Sequence, residues 1–182
     1  MKKLLIINGS PRKKGVCAEV INQVKPYFAD CEIKEYDTYK LSPAPCTACC
    51  YCEQHEGCSN HDLDIFFEDY ESADYVAIFS PVYNNFFPAP LKAVIDRFQR
   101  YYSARFCRGA DPAIEKPKSA GLVVVSGSNA RQNADFMTNT LKQCLPILNT
   151  QLKARYYIPG TDSKSYTFNI TELDKFVHQL RR

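Results

Sequence analysis

The chain has 182 residues, enough for one well-filled α/β core and too few for two ordinary domains. Hydrophobic residues make up 45% and charged residues 24%, a globular balance that excludes a disordered chain. The net charge of +3 is spread along the sequence rather than gathered on one segment, which argues against a nucleic-acid-binding face.

The opening Met1-Lys2-Lys3-Leu4-Leu5-Ile6-Ile7 starts like a secretion signal, but its apolar run stops at Asn8-Gly9-Ser10-Pro11 and is too short for one. Leu4 to Ile7 reads instead as a first, fully buried strand. After a basic turn, Cys17, Val20, Ile21 and Val24 recur at helical spacing and predict a first helix. Cys31 to Tyr36 is a more polar strand, suited to a sheet edge. A cysteine-rich insertion loop, 41–62, follows. Leu63, Phe66, Phe67 and Tyr70 predict a second helix capped by Asp62, and Tyr75 to Phe79 a third strand. Ser80 to Pro90 carries three prolines and reads as loop throughout. Leu91, Val94, Ile95 and Phe98 mark a third helix. Ser103 to Ser119 reads as a single connection, longer than the usual ~4–6 residues. Leu122 to Val125 is a fourth strand and Met137, Leu141, Cys144 and Leu145 a fourth helix, which Pro146 should end. Ala154 to Ile158 is a polar fifth strand, and Leu173, Phe176, Val177 and Leu180 mark a last helix.

No repeat, low-complexity tract or linker breaks this alternation, so residues 1–182 read as one domain. No stretch nears the ~18 consecutive apolar residues of a membrane span. Five strands alternating with five helices predict an α/β three-layer sandwich with a parallel sheet. The order 2-1-3-4-5, which is flavodoxin-like, keeps the apolar strands central. Its ligand site lies beyond the carboxyl ends of the strands, at the β1/β3 switch point.

The loops at those ends are unusual. Asn8 to Gly15 runs straight into a helix, with a glycine near each end, and Ser10, Arg12 and Lys14 add donors to the free helix N–H groups. This is a phosphate cradle, but not a Walker loop. Ser80 to Pro90 carries Tyr83, Phe86 and Phe87 beside Asn84 and Asn85, a set suited to a flat heteroaromatic ring. Ser126 to Ala130 is small and polar, as where backbone approaches a ligand.

Gly9-Ser10-Pro11-Arg12 after the first strand, with Ser80-Pro81-Val82-Tyr83 and then Leu91-Lys92-x-x-x-Asp96-Arg97, resembles the NAD(P)H-dependent FMN reductase family, which includes iron-sulfur flavoproteins. The resemblance covers most of the chain to about the fourth strand. It implies an FMN-dependent oxidoreductase passing electrons from NADH or NADPH to a quinone, flavin or other small-molecule acceptor. It further implies a homodimer or homotetramer. Ser10, Arg12, Gly15, Val16 and Cys17 would then hold the FMN phosphate. Pro81, Val82, Tyr83, Asn84, Asn85 and Phe86 would line the ring, helped by Ser126 and Gly127. Where the family often has Asn-Thr or Asn-Ser, this chain has Val16-Cys17, so side-chain donors to the phosphate are missing. No side chain is singled out as a catalytic acid or base.

Five of the nine cysteines crowd between Cys46 and Cys58. Without a secretion signal, this suggests metal, cluster or free thiols in a reducing, cytoplasmic compartment rather than disulfides. Cys46, Cys49, Cys52 and Cys58, spaced C-x2-C-x2-C-x5-C, could converge on a [4Fe-4S] cluster, or on zinc. The same spacing also resembles family members that carry FMN alone, in which the cysteines are buried or free thiols. His55 and His61 flank Cys58 and could add ligands. With a cluster, the protein would act as an electron carrier docking to protein partners. Arg105, Arg108, Lys116 and Lys118 could receive a nicotinamide-nucleotide phosphate or stay solvated.

Overall fold

The computed structural model describes residues 1–163, 166 and 169–182. Strands β1 (Lys3–Asn8), β2 (Glu32–Asp37), β3 (Tyr75–Pro81), β4 (Lys118–Val125) and β5 (Thr150–Ile158) form a parallel sheet in the order β2-β1-β3-β4-β5. This is the flavodoxin-like order expected. Helices α1 (Val16–Val24) and α8 (Ile170–Arg181) cover one face, and α4 (Asp64–Ser72), α5 (Ala89–Asp96), α6 (Gln99–Phe106) and α7 (Arg131–Cys144) the other. Of two short helices, α2 (Thr38–Leu41) precedes the cysteine segment and α3 (Tyr51–Gln54) lies within it.

Strand alternation sorts the core between the two faces. Leu4 and Ile6 point to the α1/α8 side with Val20, Phe176 and Leu180. Leu5 and Ile7 point to the other side with Phe67, Leu91 and Leu141. All eight β4 residues are buried, as a central parallel strand requires, whereas edge strand β2 has none fully buried.

Three expectations are corrected. Ser80 and Pro81 complete β3, pairing in register with Val124 and Val125, while Ala89 and Pro90 open α5. Proline is tolerated at a strand's last residue and in a helix's first turn, where its missing N–H is not needed. The connection is therefore only 82–88, with Pro88 its one proline. The long connection loses Ser103 to Phe106 to α6, whose buried face is Tyr101, Ser103 and Ala104 rather than an aliphatic stripe. Asp62 does not cap α4: the cap position is Leu63, with no side-chain bond. Pro146 does end α7, in a 3-10 turn at Leu145–Leu148. Among the described residues, no helix is long and apolar enough to cross a membrane.

Gly121, in the middle of β4, leaves room for α8: a Cβ there would lie 2.6 Å from the Phe176 ring. Gly121→Ala should destabilise the fold by about 1–3 kcal/mol through overpacking. Phe176→Leu in the same chain should recover part of that loss in urea denaturation.

Candidate functional site

β2 lies on one side of β1 and β3 on the other, so the connections after β1 and β3 lead away from each other and leave a crevice. The Gly9 N–H donates to the Phe79 carbonyl at 2.8 Å, and a Cβ on Gly9 would sit 2.6 Å from a Leu91 methyl. Only glycine allows that approach to α5. The turn beyond it is held internally: Asn8 Oδ1 accepts from the Ser10 N–H at 3.0 Å, and Ser10 Oγ from the Arg12 N–H at 3.2 Å. The Gly15 N–H donates to the Arg12 carbonyl at 3.1 Å. Gly15 caps α1 without a side-chain bond, so the first-turn amides keep their donors and the positive end of the helix dipole faces the crevice.

The opposite wall is a tight hairpin. Tyr83 and Phe86 exchange backbone hydrogen bonds of 3.0 and 2.9 Å around Asn84 and Asn85, at φ 47° and 67°. Both positions need left-handed backbone, which asparagine tolerates. Asn133 Nδ2 donates to Asn85 Oδ1 at 3.0 Å and ties the hairpin to α7. Tyr83 stays 39% exposed, while Phe86 packs edge-on against Phe87 and near Phe136.

Between these walls lies a cleft of about 140 Å³, lined by Ser10, Arg12, Gly15, Val16, Cys17, Pro81, Val82, Tyr83 and Gly127 from the expected set. Lys14 is exposed outside it, Asn84 and Asn85 form the hairpin tip, and Phe86 turns to its aromatic neighbours. Ser126 is buried, its N–H bonded to the Ile158 carbonyl. Val125, Thr161 and Asp162 also line the cleft, and the sequence reading missed them. For Thr161 and Asp162 the signal was present: Gly160-Thr161-Asp162-Ser163 is a polar turn after the fifth strand, at the same sheet end. The Asp162 carboxylate packs so closely on Gly127 that a Cβ there would be 2.1 Å from it. Burial pushes the Cys17 thiol up to about 12, so it stays neutral beside the cradle and does not oppose an anion.

Cys46, Cys49, Cys50, Cys52 and Cys58 line a second cavity, of about 390 Å³, beside the ends of α5 and α6. Arg97, 2% exposed at the end of α5, organises it. Its Nη1 donates to Asp62 at 2.9 Å and to the Ala44 carbonyl at 3.2 Å, and its Nη2 to the Asn60 carbonyl at 2.5 Å. Asp62 also accepts from the Ala44 N–H at 2.7 Å. Asp96, the neighbour of Arg97, pairs instead with Lys92.

The thiols differ. The Ser59 hydroxyl and the Tyr51 N–H hold the Cys49 thiol below its ordinary range, whereas the adjacent Glu53 carboxylate raises Cys50. The Cys52 thiol donates to Ser103 Oγ at 3.4 Å, and Arg108 Nη1 donates to the Cys52 carbonyl. His55 stacks on Tyr51 and His61 pairs with Asp64, so neither is directed to the thiols. Among the described residues, no three Cys, His, Asp or Glu side chains already grip one point. Arg97 Nε and Arg100 Nη1 are buried without hydrogen-bond partners.

The basic residues of 103–119 do not form one phosphate receptor. Arg105 pairs with Asp111, Arg108 holds the cysteine segment, and Lys116 pairs with Asp74. Lys118 is buried at the start of β4, its ammonium bonded to the Lys116 carbonyl, and burial lowers its pKa to about 8. These contacts lie on several elements, which spacing along the chain does not reveal.

A family model described as NADPH-dependent FMN reductase matches residues 2–159. The chain is 35% identical over 99 residues to an iron-sulfur flavoprotein of Methanosarcina thermophila, covering 52% of this chain and 51% of that protein. It is 31% identical over 105 residues to one of Archaeoglobus fulgidus, covering 55% and 52%. The matched region thus spans about half the length of these curated relatives. An NAD(P)H:quinone oxidoreductase from Methanothermobacter marburgensis superposes with TM-score 0.69 at 17% identity, covering 99% of this chain and 92% of that one. An NADH:FMN oxidoreductase gives TM-score 0.68 at 16% identity, covering 100% and 89%. At such identities the structural likeness shows the fold alone.

The unequal thiols predict an order of modification. In metal-free protein at neutral pH, limiting iodoacetamide should label Cys49 before Cys50, because the thiolate is the nucleophile. Cys17 should stay unlabelled until the protein unfolds. Peptide mapping by mass spectrometry checks the order, and Cys49 labelling should rise with a midpoint below that of an ordinary thiol.

Proposed function

The chain belongs to the NADPH-dependent FMN reductase family, and from that premise we propose that it binds FMN in the cleft beyond β1 and β3 and works as an oxidoreductase. In this reading it takes electrons from NADH or NADPH and delivers them to a small-molecule acceptor such as a quinone or flavin.

The observation that carries the reading is the uncapped N-terminus of α1, which opens into the same cleft as Arg12 and the Tyr83 hairpin. Bare amides, a helix dipole and a guanidinium suit a dianionic phosphate. The residues fit the group: a Cβ on Gly15 would lie 2.9 Å from Arg12 Cβ, so glycine keeps the cradle compact. Val16 and Cys17 supply only backbone donors, with Ser10 Oγ beside them. A carboxylate repels phosphate but accepts from hydroxyls, so Asp162, with Thr161, is assigned to the ribityl chain. The ring would lie toward Pro81 to Tyr83, with Tyr83 exposed enough to stack on it. FMN when bound supplies the electron chemistry, and the protein binds, orients and shields it.

A second reading adds an iron–sulfur centre on Cys46, Cys49, Cys52 and Cys58, with electron delivery to protein partners. Two observations support it: the matched relatives are named iron-sulfur flavoproteins, and the four cysteines face one cavity. Buried guanidinium donors without partners fit an acceptor-rich group there.

Arg12→Ala should weaken FMN binding roughly tenfold or more at low salt, and less at high salt, where screening already weakens the pair. Quenching of flavin fluorescence measures this, and equal affinity would place the phosphate elsewhere. For the second reading, protein made anaerobically with iron and sulfide should hold about four of each per chain. Cys49→Ser should lose them while NADH-dependent flavin reduction survives. Wild-type protein that is plain yellow and free of iron and sulfide would leave the cysteines as free thiols.

A further inference from the structure

We propose that Arg97 and Arg100 form a hydrogen-bonding cationic floor for the cysteine cavity, donating to the sulfur atoms of an anionic metal–sulfide centre and stabilising its reduced form. This rests on the second reading above, that the four thiolates hold an iron–sulfur centre.

Two donors beside the cavity are unsatisfied. Arg97 Nε and Arg100 Nη1 are both buried without hydrogen-bond partners, and both residues line the cavity that the cysteines face. A buried N–H without an acceptor costs about 1–3 kcal/mol, more on a charged group, so two on residues that line one cavity leave a demand that an acceptor bound there can meet. Nearby protein acceptors are already engaged. Asp62 divides its oxygens between Arg97 and the Ala44 N–H, Asp96 binds Lys92, and Glu53 faces the Cys50 thiol.

The two guanidinium groups are also held in place. The Nη atoms of Arg97 are fixed by Ala44, Asn60 and Asp62, which leaves Nε as its donor without a partner. Arg100 lies over the rings of Phe67 and Tyr101, with centroids at 4.9 and 5.3 Å. Its nearest carboxylate, Asp64, is 3.7 Å from Nη1, too far for a hydrogen bond. Ring faces hold a cation without satisfying its N–H groups.

The chemistry that meets these requirements is anionic and rich in acceptors. A metal–sulfide centre with four thiolates carries negative charge and offers sulfur acceptors on several sides. A one-electron reduction, by reduced flavin or a chemical reductant, adds one more negative charge. A fixed cation in a low-dielectric cavity stabilises the more negative state and raises the reduction potential. Such contacts around the ligands commonly tune a metal site.

The test uses wild-type, Arg100→Gln and Arg100→Lys proteins, loaded anaerobically with iron and sulfide. Iron and sulfide are counted, and the centre is titrated with mediators while electron paramagnetic resonance follows the reduced state. Arg100→Gln should keep its metal but show a reduced-to-oxidised ratio about tenfold lower at fixed potential, ~59 mV for a one-electron couple. Arg100→Lys, which keeps the charge, should recover most of that shift. A loaded Arg100→Gln protein with the wild-type potential overturns the proposal while leaving the cluster reading intact. Wild-type protein that takes up no iron and sulfide overturns both. If Arg100→Gln cannot be loaded, retention of metal by Arg100→Lys supports a role for charge. Equal loss in both variants makes Arg100 a packing residue and overturns the proposal.

Discussion

The buried guanidinium of Arg97 holds the cysteine-rich segment in place. It draws the Ala44 and Asn60 carbonyls and the Asp62 carboxylate onto the end of α5. Those acceptors lie at both ends of the thiol-bearing stretch, so one side chain closes the loop from two sides. Removing one partner from a fully buried pair typically costs about 3–5 kcal/mol, because the other charge is left uncompensated, and less here, where Asp62 is 26% exposed. The segment has little else to shape it. Its one regular element between Ser42 and Asp62 is the four-residue α3, and its cysteines pack no aliphatic core.

The same helix joins the two cavities. α5 starts beside the hairpin wall of the first cleft and ends at Arg97 under the second, a span of about 12 Å at 1.5 Å per residue. Its N-terminal half is pressed on Gly9 through Leu91, and its C-terminal half on the cysteine segment. A shift along α5 would therefore disturb both. This shared support gives the glycine turn after β1 and the cysteine insertion a common rigid element.

Electrostatics divides the two cavities in a similar way. Around the first cleft, positive character comes from backbone amides and Arg12, and the nearest thiol, Cys17, is kept neutral by burial. Around the second, it comes from buried guanidinium groups, and the thiol of Cys49 is held low by its hydroxyl and amide neighbours.

By itself, the sequence determined the alternation of strands and helices, the strand order and the three loops at the carboxyl ends. These follow from local rules: apolar period, helix stripe, and glycine or proline at turns. The aligned loops of the family, and the crowding of five cysteines, were likewise legible from spacing. The tertiary structure alone decided that Asp62 serves Arg97 rather than α4, that Arg97 turns from Asp96 to the cysteine segment, and that Asp162 enters the first cleft. Each of these joins residues far apart in sequence, 35 positions for Asp62 and Arg97. Local periodicity carries no record of such pairs, because a carboxylate's partner depends on which elements the sheet brings side by side. The same reason hid α6, whose buried face is set by Tyr101, Ser103 and Ala104 meeting neighbours that only the folded chain supplies.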